Sequence, residues 1–155
     1  MAIAAVFTIA MNACSGDDDT YFSKDDTILS EGKDASFDDI INTSLKFYGF
    51  GSNKGIREVK PTYWKDAYCI YFQDDGIVKG TSSSNDFNTY YQVQGDNIYI
   101  NKNICTTKVG EVGDGEEYLS ALLSCSQYKI IDNQLLLYYN NKKCYLLFNI
   151  IDFQK

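Results

Sequence analysis

Five cysteines, a run of carboxylates and no histidine set the chemistry open to this sequence of 155 residues. Without an imidazole, the commonest general base, the Ser-His and Cys-His nucleophile pairs and the commonest metal ligand are all missing. Carboxylates are the next candidates for acid–base work. Glu111, Asp114, Glu116 and Glu117 cluster in one stretch. A glycosidase would hold two such groups across a cleft, whereas a helix start draws acids to its positive end; the local pattern favours the helix start. Asp74-Asp75 precedes Gly76 and reads as a turn before it reads as a metal site. Cys69, Cys105, Cys125 and Cys144 are spaced by 36, 20 and 19 positions. Zinc sites use close pairs such as C-x2-C, so no metal and no cofactor are expected. In an exported domain, four cysteines suit two disulfides, and Cys69–Cys144 with Cys105–Cys125 is the preferred pairing; free thiols buried as small apolar groups are the alternative. Finally, the polar stretch Gly51 to Asp66 holds Arg57, Lys60, Tyr63, Trp64 and Lys65. Trp64, Tyr63 and Arg57 have the composition of a recognition surface for sugars or peptides, unless Trp64 folds back as a lid on the sheet.

A different chemistry belongs to the fifth cysteine. Ala2 to Met11 is an apolar run, too short to span a bilayer but suited to a signal-peptide core. Met11-Asn12-Ala13-Cys14 follows, then Ser15-Gly16-Asp17-Asp18-Asp19. The four-residue stretch resembles a bacterial lipobox, whose cysteine is acylated and becomes the mature N-terminus. The acidic run behind it resembles the export signal of surface lipoproteins in the Bacteroidetes. Residues 1–13 are therefore expected to be a signal peptide, and 14–42 a lipidated cysteine with an acidic, flexible tether. The expected location is the outer membrane, lipid-anchored and surface-exposed, with its periplasmic face as the alternative.

Charge divides the chain at the same place. Residues 15–42 carry nine acids and two lysines, a net of -7, while residues 43–155 carry twelve of each sign. The whole charge of -7 thus lies in the tether. A balanced domain has no basic face, which argues against nucleic-acid partners. The expected partners are the membrane, through the lipid, and an envelope protein or glycan.

The elements that must carry these residues are mostly strands. Thirteen Tyr and nine Phe against one Pro favour pleated sheet. Leu45–Phe50, Tyr68–Phe72, Ile77-Val78, Thr89–Val93, Asn97–Ile100, Gln127–Ile131, Leu135–Tyr139 and Cys144–Ile150 read as strands. Asp74-Asp75-Gly76, Gly95-Asp96, Asp132-Asn133 and Asn140-Asn141 read as the turns between them. Tyr91, Val93, Ile98 and Ile100 share a buried parity. Asp114 with Glu117 matches a capping box, and Tyr118, Leu119, Leu122 and Leu123 make one apolar stripe, so a single helix is expected over about 114–124. Ser36 to Ile41 offers a short helical turn. The fold class is mainly β with one helix (α+β): antiparallel hairpins rolled into a small open barrel or sandwich over residues 43–155.

Taken together, Ile70 to Gly80, Asn85, Tyr91 to Ile98, Thr106-Thr107-Lys108, Leu122, Tyr128, Leu135 to Leu137 and Tyr145 to Phe148 resemble the META domain (HslJ-like) family, in the version carried by Bacteroidetes lipoproteins. The resemblance covers roughly residues 44–150. It implies a small barrel-like domain with a helix, in envelope or secreted proteins, linked to stress and drug tolerance and without catalytic residues. The Trp common near the first strand is absent, and the turn often written Gly-Cys-Asn is Ser83-Ser84-Asn85. The expected function is non-enzymatic: a lipoprotein whose domain binds or shields something at the cell envelope, or alternatively a stress-related maintenance protein acting through a protein partner.

Overall fold

The structure, a computed structural model, describes residues 35–151. The expected signal peptide (residues 1–13), Cys14 and the expected tether as far as residue 34 lie outside the described residues. Ten strands and one α-helix follow in chain order: β1 (Ser44–Ser52), β2 (Gly55–Glu58), β3 (Cys69–Phe72), β4 (Ile77–Thr81), β5 (Asp86–Gln94), β6 (Asn97–Ile100), β7 (Cys105–Thr106), α1 (Gly115–Leu122), β8 (Gln127–Ile131), β9 (Gln134–Tyr139) and β10 (Cys144–Ile151).

Eight of these strands close an antiparallel barrel in the order β1-β3-β4-β5-β6-β8-β9-β10, and β10 returns to β1. Every neighbour in that ring is the next barrel strand in sequence, so short turns suffice and no crossover is needed. Closure rests on β1 against β10, paired from Ser44↔Ile151 to Ser52↔Cys144 with a bulge between Phe47 and Gly49. Beyond that bulge β1 leaves β3 and pairs β2 instead, over Gly49 to Ser52. Short β7 pairs the start of β5. The weakest join is β6 to β8, which share one register pair, Asn97↔Gln127.

The expected alternation is met on β5, where Phe87, Thr89 and Tyr91 are buried and their neighbours exposed. Inside, Leu45, Phe47, Phe72, Ile100, Leu135 and Phe148 are essentially inaccessible. Tyr118 from α1 inserts among them, its ring 4.9 Å from Phe47 and 5.2 Å from Tyr68. One helix thus stoppers one barrel end with its apolar stripe.

The other end has its own plug. A 3-10 turn, Phe37–Ile40, buries Phe37 and Ile40. The Phe37 ring packs at 5.1 Å from Phe72, 5.8 Å from Tyr91 and 4.9 Å from Tyr128. Ser36 and Asp39 form a reciprocal capping box at its start. Among the described residues, the packed unit therefore takes in Phe37 and Ile40, ahead of the expected boundary at residue 43. A composition count misses this because two apolar side chains among acids are enough when both enter a core.

Candidate functional site

The carboxylates singled out in the sequence meet at the barrel end that α1 closes, and they meet structural partners. Glu111 accepts hydrogen bonds from Ser82 Oγ at 2.6 Å, from Asn85 Nδ2 at 2.6 Å and from Ser83 Oγ. Ser82, Ser83 and Asn85 are themselves buried at the β4–β5 turn. Asn85 then spends its remaining capacity on the incoming loop. Its Nδ2 donates to Val109 O at 2.7 Å, and its Oδ1 accepts from Val109 N and Thr107 Oγ1, both at 2.9 Å. Ser83 Oγ accepts from Val112 N at 2.9 Å. One turn of three small polar residues thereby ties down the segment 107–112 that leads into the helix. Burial alone would raise the Glu111 pKa, but the hydroxyls of Ser82 and Ser83 and the amide of Asn85 outweigh it and hold it below the ordinary carboxylate value.

Asp114 departs from its expected role. It stands at the helix N-cap position but makes no side-chain cap bond. Its buried carboxylate instead accepts from Lys60 N at 2.7 Å, with Arg57 Nη1 at 3.2 Å and Lys60 Nζ at 3.6 Å. Glu117, the other half of the expected box, accepts from Arg57 Nη2 at 2.6 Å. Arg57 is held on its third side by the Phe50 ring, 4.3 Å from the guanidinium carbon. A guanidinium buried against two carboxylates is a stronger partner for Asp114 and Glu117 than two backbone N–H groups, which is why the cap is overridden. Three carboxylates are thus taken up at this barrel end, Glu111 by two hydroxyls and an amide, and Asp114 and Glu117 by Arg57.

The recognition trio separates. Arg57 lies on β2 and belongs to the ion-paired network. Trp64 is half-buried and packs on the core, the lid arrangement. Tyr63 is fully exposed beside it. The loop is also shorter than the sequence implied, because Gly55–Glu58 forms a hairpin with β1.

Neither expected disulfide pair is formed. Cys69, Cys105 and Cys125 are free thiols. Cys125 is buried behind α1, where its Sγ lies 3.2 Å from Ala121 O, while Cys105 is exposed on β7. The barrel places them on opposite sides of its wall, one in the core and one at a strand edge. Burial pushes the Cys125 thiol far above its ordinary range, so it behaves as a small apolar group. Cys69 is raised in the same direction by burial, against the pull of Lys46.

Sequence reasoning missed one surface. On the outer wall, Tyr90, Gln92 and Tyr99 are exposed on neighbouring strands β5 and β6. Together with Asp75, Gly76, Tyr91 and Asn101 they line a cleft of about 490 Å³. The signal was present: the parity that buries Tyr91, Ile98 and Ile100 sends Tyr90 and Tyr99 outward. A second groove, about 460 Å³, runs along the β8–β9 wall between Ala35, Tyr128, Lys129, Tyr138 and Lys142.

A closed meander of eight antiparallel strands, filled by its own aromatic side chains and plugged at both ends, defines a small β-barrel domain. The family model of the META domain matches residues 54–149, and the chain belongs to that family. Two solved structures share the fold. One is a DUF4847 family protein from Bacteroides vulgatus ATCC 8482, with a TM-score of 0.53 and 21% identity, covering 71% of this chain and 93% of that one. The other is a protein from Burkholderia xenovorans, solved by NMR, with a TM-score of 0.61 and 17% identity over 88% of this chain and 97% of that one. No curated protein matches the chain.

Proposed function

We propose that this META domain protein is a non-enzymatic lipoprotein of the bacterial outer membrane, anchored through acylated Cys14 and exposed at the cell surface, whose barrel binds or shields a component of the envelope. The observation that carries the reading is the fate of the carboxylates. Glu111, Asp114 and Glu117 are spent on closing the barrel end, and the chain has no histidine, the commonest general base. The exposed aromatic side chains of the outer wall remain as the chemistry on offer. The anchor is argued from the lipobox-like Met11 to Cys14 and the acidic run after it.

Growing the native host with a radiolabelled fatty acid tests the anchor: wild type takes up label and Cys14→Ser does not. Treating intact cells with a protease that cannot cross the outer membrane tests the face. Loss of the barrel supports surface display, and protection until lysis moves the protein to the periplasmic face. Labelled Cys14→Ser protein would sink the lipoprotein reading.

A second reading, envelope maintenance through a protein partner, draws on one observation. Tyr63, Val109 and Val112 are exposed, and the segments that carry them meet at the start of α1, where Lys60 N donates to Asp114 at 2.7 Å. Exposed apolar side chains gathered on adjoining loops fit a protein contact. Crosslinking in cells that traps one stoichiometric partner through a probe at Val112 would favour it.

A further inference from the structure

We propose that the outer-wall cleft between Tyr90 and Tyr99 is a binding site for a neutral glycan. This rests on the binding reading above and assigns its ligand class and place.

The strand register fixes the geometry. Gln92 pairs directly with Tyr99, and Tyr91 pairs with Ile100. Residues facing each other across an antiparallel pair share a face, so Tyr99 and Gln92 stand side by side on the outside. Tyr90 is two residues before Gln92 on the same face, which makes Tyr90 and Tyr99 diagonal neighbours, roughly 7–8 Å apart at the backbone. Both rings are more than half exposed, 65% for Tyr90 and 56% for Tyr99. Two neighbouring phenol rings on one open face offer apolar surface with polar tips, which a ligand of mixed character can cover.

The groups around the rings decide which cover fits. Gln92 and Asn101 bring primary amides, each with a donor and an acceptor end. Asn101 Oδ1 already accepts from Asn103 N at 2.9 Å, which leaves its Nδ2 as a donor. Asp75 Oδ1 accepts from Ile77 N at 3.1 Å, which leaves its second oxygen as an acceptor. No Lys or Arg lines the cleft, so an anionic ligand would find no counter-charge and would meet Asp75. A purely apolar ligand would strand the amides and the carboxylate. A pyranose suits both demands: its C–H face lies on an aromatic ring while its vicinal hydroxyls pair with planar amide and carboxylate groups. The cleft volume, about 490 Å³, falls within the roughly 300–1,000 Å³ of ordinary ligand sites. The site is open on the outer wall, so it would read a segment of a longer chain rather than enclose a single sugar.

The test uses the full chain with Cys14→Ser, kept soluble, on an array of neutral oligosaccharides (α- and β-glucans, mannans, xylans) beside anionic glycans and acidic and basic peptides. Hits are then titrated by calorimetry. The expected result is binding to at least one neutral class, weakened roughly three- to tenfold by Tyr90→Ala or Tyr99→Ala, the worth of one aromatic contact, and little changed by Tyr90→Phe. Thermal unfolding of each variant at the wild-type midpoint shows that the loss is local. Absence of neutral-glycan binding, a preference for anionic glycans or peptides, or binding indifferent to both alanine variants would overturn the site. The last of these outcomes leaves the binding reading standing with a different site. Failure of the acylation and shaving experiments would remove the envelope reading without touching this titration.

Discussion

At the level of single residues the barrel end turns on Glu111. Its carboxylate accepts from Ser82, Ser83 and Asn85 and so joins the β4–β5 turn to the loop before the helix. Glu111→Gln keeps the shape but replaces two acceptor oxygens by one and loses the charge. Stability at pH 7 is expected to fall by about 1.5–3 kcal/mol, the range for hydrogen bonds to a charged group. The sign of the pH dependence follows from the lowered pKa. Folding favours ionised Glu111, so the stabilisation is fully present above the ordinary value of 4.5 and is lost as pH falls through the lower folded value. Urea midpoints of wild type and Glu111→Gln should therefore converge below about pH 4.5. A gap that stays constant from pH 7 to pH 3 would show that the charge of Glu111 is irrelevant. The thiols give a second prediction at this scale. A thiol-specific reagent at pH 8 should modify exposed Cys105 first and buried Cys125 only on unfolding. Rapid reaction of Cys125 in the native state would mean that α1 opens readily.

Between elements, most of the sheet is legible from alternation and from the turns at Asp75-Gly76, Gly95-Asp96 and Asp132-Asn133, because parity and left-handed turn residues are local properties. Gly76 and Gly95 have φ of 81° and 59°, and Asp132, Asn140 and Asn141 lie near 50°, the turn geometry that such residues favour. What was not legible depends on long-range contact. Gly55–Glu58 is short and polar, and it becomes a strand only because β1 outruns β3 and offers it a partner. Asp114 and Glu117 spell a capping box that Arg57, sixty residues away from Glu117, takes apart. The helical turn over Ser36 to Ile41 is legible, but its place is not: Phe37 and Ile40 are buried because they plug the barrel mouth. The candidate site was still harder to read, since exposed Tyr90 and Tyr99 carry the same residue type as buried Tyr91. The plug makes a clear prediction. Phe37→Ala should cost about 3–5 kcal/mol, the usual loss for a fully packed phenylalanine, read as a lower denaturant midpoint. A chain trimmed to begin at residue 43 should be weakened at least as much. An unchanged midpoint in either would return residues 35–42 to the tether.

For the molecule as a whole, the closing pair is decisive. β1 and β10 are the first and last strands of the barrel, and they share the longest register in the sheet, Ser44 to Ser52 against Cys144 to Ile151. Neither β1 nor β10 can complete its pairing until the other is present, so the ring is joined across almost the whole folded sequence. Contacts of such high separation must offset the entropy of closing a long loop before they stabilise anything. Refolding is thus expected to be slow for the domain's size, in the millisecond-to-second range typical of β-barrels, and cooperative, because Phe47 on β1 and Phe148 on β10 touch at 5.3 Å and share the core with Tyr118 of the helix. The β6–β8 join, with its single register pair, is the place where the ring can part without undoing the closure. Stopped-flow refolding and native-state hydrogen exchange check both halves of this argument together. Amides of β1 and β10 should exchange only through global unfolding, while those bordering the join, such as Ile98 and Tyr128, which donate to Ser126 O and Asp96 O, should exchange through a smaller opening with little dependence on denaturant. If the β6–β8 amides were as protected as those of β1 and β10, the barrel would open as one unit, and the groove beside Ala35, Tyr128 and Tyr138 would be a fixed feature of its wall rather than a place where the wall gives.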